Sequence, residues 1–198
     1  RAGVRRLHPG RLARAQGFAA MQASRAAIIG GASSTSNTLA AKKYGVPVSG
    51  TQAHSWIQSF DSELEAFRAY AKVHPENTTL LVDTFDTLRS GVPNAIVVGR
   101  EMEILGYKLK AIRLDSGDLA YLSVKVAKVL NEAGYPKAKI VISNDLDELV
   151  IWQIITQIQE EAPSAGLIAD DVINRLIYGV GTRLITSHGS SALDGVYK

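Results

Sequence analysis

The stretch AIRLDSGDL, residues 111–119, decides the fold class. It opens with a short apolar run and passes through a turn of two aspartates, a serine and a glycine. It then leads into a segment that carries Leu122, Val126 and Leu130 on one helical stripe. A run that is nearly all apolar is typical of a strand buried on both faces of a parallel sheet. The stretch therefore predicts a β-strand, a polar turn and an α-helix in succession.

This succession recurs along the chain. The apolar runs predict strands over Val46–Ser49, Thr79–Asp83, Ala111–Leu114, Lys139–Ser143 and Arg175–Tyr178, with a further strand near Val4–Leu7. The amphipathic segments predict helices over Ala20–Tyr44, Glu63–Val73, Leu119–Ala133 and Leu146–Gln159. Strands that alternate with helices of this length indicate βαβ units and a parallel sheet.

Polar signatures, several of them glycine-rich, follow the strands at their carboxyl ends: SGTQAH (49–54), DTFD (83–86), LDSGD (114–118), SNDLDE (143–148) and GVGT (179–182). In a β/α barrel all such loops converge on one face and build one site. In a doubly wound open sheet, only the loops at the switch point need such chemistry. The pattern favours the barrel and leaves the open sheet as the alternative.

The composition excludes several classes of protein. The chain has 198 residues, 46% of them hydrophobic and 21% charged, as expected for a globular domain. No apolar run approaches the length of about 20 residues that spans a bilayer. The absence of cysteine excludes disulfides, thiolate metal sites and a cysteine nucleophile. The net charge of +3 is small, and no aromatic-basic nucleic-acid motif is present. We expect a soluble, cytoplasmic protein that binds neither membranes nor nucleic acids.

Two of the strand ends carry candidate ligand-binding groups. The glycines of GVGTRL (179–184) allow the backbone to approach a phosphate, although a tight turn is the alternative. Alternation places Arg113 and Asp115 on one side of their strand. There the guanidinium can bind a carboxylate or stack on a ring, and the carboxylate can hold ribose hydroxyls. A buried ion pair with a helix N-cap at Ser116 or Asp118 is the alternative.

His54 follows a Gly-Thr pair at the predicted start of a helix. A helix N-terminus disfavours histidine protonation, which leaves a neutral nucleophile or general base. Asp83 ends another strand and could orient the imidazole, whereas Asp86 is predicted to cap a helix. No histidine spacing indicates a metal site, so the metal ligands stay unknown; magnesium on a phosphate substrate needs only one or two carboxylates. Structural or solvated roles are predicted for His8, His74 and His188.

Seven blocks in this order, VRR, SRAAIIGGASSTSN, SGTQAHSWIQSF, LLVDTFDT, IRLDSGDL, SNDLDE and YGVGTRLITS, resemble the nicotinate phosphoribosyltransferase family. GTQAHSW and RLDSGDL are specific to this family and its nicotinamide-using relatives. The resemblance implies phosphoribosyl transfer from phosphoribosyl pyrophosphate to nicotinate in NAD salvage, giving nicotinate mononucleotide and pyrophosphate. It also implies coupled ATP hydrolysis through a phosphohistidine, and a requirement for Mg²⁺.

The resemblance also implies a role for individual residues. His54 matches the histidine that becomes phosphorylated, Asp83 the carboxylate beside it, and Asp115 the acid near the ring and ribose. Arg113 matches the arginine that contacts the pyridine substituent and phosphate. Gly181 and Thr182 match the backbone that holds the 5′-phosphate. Further substrate-binding residues implied by the match are Arg5, Thr51, Ser143 and Asn144.

Ser36 bears on the choice of substrate. Nicotinamide-specific relatives carry an aspartate at the matching position, where it accepts a hydrogen bond from the amide. A serine can donate to a carboxylate, whereas an aspartate would repel it. The resemblance to the family together with Ser36 therefore predicts that nicotinate is preferred to nicotinamide.

The family comparison also predicts the extent of the domain. We expect an α/β fold, an incomplete TIM-like β/α barrel of phosphoribosyltransferase type II, with residues 1–198 as part of the catalytic domain. The family's N-terminal α/β domain and remaining C-terminal part are not in this sequence, so we expect a fragment of a longer chain. A homodimer with a shared active site is implied. The alternatives are a quinolinate- or nicotinamide-using relative, or an inactive barrel fragment with a binding role only.

Overall fold

The computed structural model describes residues 7–9 and 17–186. Its strands are β1 (Leu7–Pro9), β2 (Thr79–Leu81), β3 (Ala111–Leu114), β4 (Lys139–Ile142) and β5 (Leu176–Val180). Its helices are α1 (Gly17–Ile29), α2 (Thr38–Tyr44), α3 (His54–Ile57), α4 (Glu63–Val73), α5 (Val92–Ile104), α6 (Leu119–Glu132), α7 (Glu148–Glu161), α8 (Ala169–Ile173) and α9 (Thr182–Thr186). Short 3₁₀ turns cover Pro75–Asn77 and Pro163–Ala165, and a π-helical turn covers Thr87–Gly91.

The chain divides into two compact units. The central unit comprises Thr51–Val141 and Ile154–Arg175. In it β4, β3 and β2 are neighbours in that order, and β2 pairs with β3 in parallel, with Thr79 opposite Ala111 and Leu81 opposite Arg113. All four residues of β3 are buried, as expected for a strand covered on both faces.

The terminal unit comprises residues 7–9, 17–50, 142–153 and 176–186 of the described chain. In it β1 pairs in parallel with β5, with Leu7 opposite Tyr178, and β5 lies beside the last residue of β4, Ile142. In the central unit the paired strands β2 and β3 are adjacent in sequence and joined by a helix, whereas the terminal unit pairs the first strand with the last. The α/β class with parallel strands, which the sequence predicts, is confirmed.

The core of the central unit forms between the strands and the helices that follow them. Leu80, Leu81 and Ile112 are fully buried on the strands, and Val126 and Leu130 are fully buried on α6. These helical residues lie on the stripe that the sequence pattern predicts. Burial of a side chain of this size stabilises the fold by about 1.5–3 kcal/mol relative to exposure.

A close approach of backbone to backbone positions the end of β2. At Gly91, a β-carbon would lie 1.9 Å from the carbonyl oxygen of Val82. Because glycine has no side chain, the π-helical turn can pack directly against the residue that precedes Asp83. Glycine at position 91 thus allows the turn to pack against the backbone of Val82.

Two predicted elements are wrong. The helix predicted over Ala20–Tyr44 is two helices, because the glycines after Ile29 end α1, with Gly31 at a φ of +102°. Asn37 then starts α2 by accepting a hydrogen bond from the Ala40 N–H. The strand predicted over Val46–Ser49 is a single bridge between Thr35 and Val48. Pro47 lacks an N–H group, which prevents a longer ladder at this point.

Candidate active site

The imidazole of His54 lies among oxygen-bearing side chains of the central unit. His54 is the first residue of α3, as predicted, and its side chain is 11% exposed. Its Nδ1 lies 3.1 Å from the hydroxyl oxygen of Thr84. Its Nε2 lies 3.5 Å from a carboxylate oxygen of Asp115 and 3.9 Å from one of Asp83. One edge of the ring therefore faces a hydroxyl and the other faces two acids.

Asp83 is held by the loop that follows the next strand. Its Oδ2 accepts hydrogen bonds from the Asp115 N–H, at 2.9 Å, and from the Ser116 hydroxyl. Its Oδ1 is buried and has no hydrogen-bond partner among the described residues. One oxygen thus fixes the carboxylate, while the other is directed towards Nε2 of His54.

Arg113 joins two loops of the same unit. Its Nη2 lies 2.7 Å from Oδ1 of Asp115, and its Nη1 donates to the hydroxyl of Thr51 at 2.9 Å. The residue is 8% exposed, so this pair is largely shielded from water. The buried Arg–Asp pair considered for this strand is present. A shielded guanidinium with two fixed partners is also well placed to hold an anion or a flat ring.

We call Thr51, His54, Asp83, Arg113 and Asp115 the His54 cluster. The structure brings these five predicted residues together within the central unit. Ser116 serves the cluster rather than a helix, because Asp118 caps α6 by accepting from the Tyr121 N–H. Asp86 caps the turn that follows β2, as predicted, by accepting from the N–H groups of Leu88 and Arg89.

A further acid, Glu63, lies close enough to the cluster to interact with it. Glu63 is 5% exposed, and its Oε2 accepts from the Asn94 amide at 2.9 Å. Burial raises the pKa of Glu63, and the negative charge of Asp83 adds to the increase, although hydrogen bonds from Asn94 and Ser90 oppose it. A neutral Glu63 would not add to the negative charge beside Asp83.

The described residues contain no group of three or more histidine, cysteine, aspartate or glutamate side chains that could hold a metal. A closed all-protein metal site is therefore not formed by this part of the chain. The buried, unpartnered Oδ1 of Asp83 is, however, a suitable magnesium ligand. Magnesium commonly binds through one or two carboxylates plus substrate phosphates, so the donor set fits a metal that arrives with a phosphate.

The terminal unit holds the loops predicted to bind phosphate. Ser143 follows β4 and is 8% exposed, and a β-carbon on Gly179 would lie 3.2 Å from its Cβ. Asn144 has a φ of +103° and Asp145 a φ of +45°, conformations that are uncommon for non-glycine residues. Strained backbone of this kind clusters at functional sites.

An ion pair ties these two loops together. Arg183 Nη1 lies 2.9 Å from Oδ2 of the buried Asp147. Gly181 lies between β5 and α9, and Thr182 is the first residue of α9. The SNDLDE and GVGTRL segments are thus adjacent within this unit, as a shared phosphate site would require.

The remaining predicted substrate residues lie elsewhere. Ser36 is half-buried in the loop between α1 and α2 of the terminal unit. Arg5 lies outside the described residues. Sequence reasoning missed Thr84, Asp147 and Arg183, and a signal for each was present, because all three stand inside strand-end segments that carry other candidates. Of the described helices, none is both long and apolar enough to span a membrane.

Comparison with known proteins shows the family. The pattern of the nicotinate phosphoribosyltransferase (NAPRTase) family matches residues 2–194. The chain belongs to this family. A nicotinate phosphoribosyltransferase of Bacillus subtilis (strain 168) is 48% identical over 182 residues, which are 91% of this chain and 34% of the relative. One of Dictyostelium discoideum is 37% identical over 233 residues, 94% of this chain and 37% of the relative.

A solved structure of the family has the same fold. The crystal structure of human nicotinic acid phosphoribosyltransferase superposes with a TM-score of 0.71 at 29% identity, over 89% of this chain and 43% of that chain. The chain thus spans about a third of the length of the curated relatives it matches. Its resemblance to the family, inferred from the seven sequence blocks, is confirmed.

Proposed function

We propose that the protein transfers a phosphoribosyl group from phosphoribosyl pyrophosphate to nicotinate, giving nicotinate mononucleotide and pyrophosphate, and that ATP hydrolysis is coupled to this transfer. The names of the relatives support the transfer reaction. The observation that carries the ATP coupling is the His54 cluster, in which one nitrogen of a shielded imidazole faces two carboxylates.

In the coupled step, a neutral imidazole nitrogen of His54 attacks the γ-phosphorus of ATP. An N–P bond forms as the bond to the bridging oxygen breaks, and ADP leaves with the electron pair. Asp83 and Asp115 orient the ring and stabilise the positive charge that develops on it. Water later cleaves the N–P bond, which returns free His54 and inorganic phosphate.

In the transfer step, departure of pyrophosphate leaves an oxocarbenium-like sugar carbon, which the pyridine nitrogen attacks. Arg113 holds the carboxylate or phosphate of the reactants, so that the two are fixed in line. Gly181, Thr182, Ser143 and Asn144 bind the 5′-phosphate. Asp83, through its unpartnered Oδ1, would hold Mg²⁺ together with substrate phosphates, and the ion would neutralise the pyrophosphate leaving group.

The proposed substrate is nicotinate rather than nicotinamide because Ser36 can donate a hydrogen bond to a carboxylate. A nicotinamide- or quinolinate-using relative, and an inactive piece with a binding role only, are the alternatives. A quinolinate site would need further cationic side chains to bind a second carboxylate. The His54 cluster contains a single arginine, Arg113, which is enough for one carboxylate. The shared-site homodimer and the cytoplasmic location stay predictions.

Pyrophosphate release tests the proposed reaction. We expect the purified protein to release pyrophosphate from phosphoribosyl pyrophosphate when nicotinate is supplied, and not with nicotinamide or quinolinate in its place. Release that does not depend on nicotinate would contradict the assignment.

The His54→Ala variant tests the coupling. We expect it to lose ATP stimulation and to retain slow, ATP-independent transfer, because the transfer step does not require the phosphorylated ring. His74→Ala is the matched control, since His74 is exposed and its ring contacts that of Tyr70. Unchanged ATP stimulation in His54→Ala would exclude His54 as the phosphate acceptor.

A further inference from the structure

An ion pair joins the loops that follow β4 and β5. Asp147 lies between β4 and α7, and Arg183 lies in α9, which follows β5. Nη1 of Arg183 is 2.9 Å from Oδ2 of Asp147, and the two side chains are 33% and 7% exposed, respectively. A pair shielded to this degree is screened by salt less than a pair on the surface. It is therefore a defined contact within the terminal unit.

The carboxylate of Asp147 is also fixed to the helix that follows it. Its Oδ1 accepts a hydrogen bond from the Val150 N–H at 2.8 Å, and the Asp147 carbonyl oxygen accepts one from the Ile151 N–H at 2.9 Å. Both donors belong to the first turn of α7, so Asp147 caps that helix. One carboxylate oxygen thus binds the helix, and the other binds Arg183. The ion pair consequently connects the loop after β5 to the start of α7.

The ion pair is one of two contacts between residues 143–147 and residues 179–183, which we call the two phosphate segments because they contain residues proposed to bind the 5′-phosphate. At the other end of the segments, Gly179 packs so closely on Ser143 that a β-carbon on Gly179 would lie 3.2 Å from the Ser143 Cβ. The other residues proposed to bind the 5′-phosphate lie between these two contacts along the chain. The separation of the segments is therefore set at both ends.

The first phosphate segment contains backbone that depends on its surroundings. Asn144 has a φ of +103° and Asp145 a φ of +45°, which are uncommon for residues with a side chain. Backbone of this kind persists only where the surrounding structure holds it. The ion pair and the helix cap, both at Asp147, hold the chain directly after these residues. We therefore expect the segment to relax when the ion pair is broken.

We propose that Asp147 and Arg183 are positioning residues for phosphoribosyl pyrophosphate, and that their ion pair holds the two phosphate segments at the separation that the 5′-phosphate requires. This inference rests on the proposed function, which assigns the 5′-phosphate to these segments. Neither residue of the pair contacts the phosphate, and both act through the segments that they join. The pair therefore serves the binding of the phosphorylated sugar and not that of nicotinate.

The test separates the ion pair from the helix cap. In Asp147→Asn the amide oxygen can still cap α7, because asparagine caps about as well as aspartate, but the amide N–H₂ would face the guanidinium. Arg183→Met removes the positive charge and keeps a long side chain, whereas Arg183→Lys keeps a charge that can reach the carboxylate. The matched controls are Asp118→Asn, at the cap of α6, and Arg68→Met, in the exposed ion pair with Glu101.

Calorimetric binding of ribose 5-phosphate and the kinetics of pyrophosphate release are the two measurements. We expect Asp147→Asn and Arg183→Met each to weaken ribose 5-phosphate binding, and to raise the KM for phosphoribosyl pyrophosphate, by about tenfold. The double variant should lose no more than either single variant, because both changes break the same contact. Arg183→Lys should bind to within about threefold of wild type, since one contact to one oxygen does not need the guanidinium fork. The KM for nicotinate should not change, and both controls should bind ribose 5-phosphate normally.

The direction of the Asp147→Asn effect is decisive. If Arg183 bound the phosphate itself, its release from Asp147 would tighten ribose 5-phosphate binding, and that result would overturn the proposal. Additive losses in the double variant, or an equal rise in the KM for nicotinate, would overturn it as well. Should Arg183→Met fail to fold because it removes the cation beside the buried Asp147, Asp147→Asn still decides the question, since it keeps the cap and buries no charge.

Ribose 5-phosphate also separates this inference from the proposed function. If the wild-type protein binds it but releases no pyrophosphate in the presence of nicotinate, the proposed reaction fails. The binding measurements on the variants then still decide whether the ion pair positions the phosphate segments. If the wild-type protein does not bind ribose 5-phosphate, the positioning role is wrong.

Discussion

At the scale of single residues, the two carboxylate oxygens of Asp83 contact different groups. Oδ2 binds the loop after β3, and Oδ1 is directed towards His54. The position therefore contributes both to the local fold and to the orientation of the imidazole. A substitution that preserves the hydrogen bonds to the loop but changes the group that faces His54 can separate the two contributions.

Asp83→Asn is such a substitution. The amide oxygen can accept the two hydrogen bonds of Oδ2, so we expect stability to change by no more than about 1 kcal/mol. The amide N–H₂ would then face Nε2 in place of a carboxylate oxygen and could not stabilise positive charge on the ring, so ATP-dependent labelling of His54 should fall by about 10²-fold. Phosphohistidine assays and urea unfolding measure the two effects.

The matched control for Asp83→Asn lies three residues further along the chain. Asp86→Asn replaces a capping residue that does not bind His54, and asparagine caps about as well as aspartate. Equal loss of labelling in both variants would show that the effect comes from disturbed loop structure rather than from the imidazole.

At the scale of elements, the turn after β2 packs against the backbone next to Asp83, a residue of the His54 cluster. The π-helical turn at Thr87–Gly91 brings Gly91 against the Val82 carbonyl, one residue before Asp83. The backbone of Gly91 is in the ordinary helical region, with a φ of −58°. The requirement for glycine is therefore one of space alone.

Gly91→Ala should destabilise the protein by about 3 kcal/mol, at the upper end of the usual cost of overpacking, because backbone atoms cannot move aside as a side chain would. Gly106→Ala is the control. Gly106 has a φ of +83°, and a β-carbon added there would meet no atom within 4 Å, so backbone strain alone destabilises this variant, by about 1 kcal/mol. Urea unfolding compares the two. Equal destabilisation would show that the contact with Val82 is not decisive.

The sequence predicts elements well where burial alone determines them. β3 and the buried stripe of α6 follow from periodicity, since the pattern of apolar residues is the pattern of burial. The apolar pattern does not predict the boundary between α1 and α2, although Gly30 and Gly31 are typical of a helix end and Asn37 is typical of a helix start. The helix α5 is not predicted either, because its buried residues are mixed with exposed apolar residues, Val97 and Ile104.

The candidate site shows a similar division. Proximity of Asp83 and Asp115 follows from their places after the paired parallel strands β2 and β3, so the sequence predicts it. His54 was predicted beside them from a strand over Val46–Ser49, which the structure reduces to a single bridge. Which nitrogen faces which partner depends on the rotation of one ring, and the Thr84 contact could not be predicted for that reason. Arg175 begins the run that predicts a strand over Arg175–Tyr178, but the strand starts at Leu176, and the side chain of Arg175 is buried where it donates to the carbonyl oxygens of Ala138 and Tyr135.

At the scale of the whole molecule, Glu63 links stability to pH. Burial raises the pKa of Glu63 in the folded state. Between the pKa of the unfolded chain and that of the folded protein, the folded protein therefore retains a proton that the unfolded chain has lost. The stabilisation from this group is complete below the pKa of the unfolded chain and is lost as pH rises through the folded pKa. Stability should therefore decline with rising pH across this window.

Glu63→Gln should remove this part of the pH dependence. We expect the difference in unfolding free energy, variant minus wild type, to increase as pH rises above the ordinary glutamate range and to level off beyond the raised pKa. Urea unfolding at a series of pH values measures it, with Glu65→Gln on the exposed side of α4 as the control for loss of a charge. A difference that does not vary with pH would contradict the assignment.

The contacts of the His54 cluster have a consequence for the order in which the chain folds. His54 meets Thr84 across 30 residues, and Asp83 meets the Asp115 N–H across 32. Each contact thus spans about one βα repeat, and closing a loop of this length costs far less time than joining distant ends of a chain. All five residues of the cluster lie between positions 51 and 115, so its contacts draw no side chain from β4 or β5.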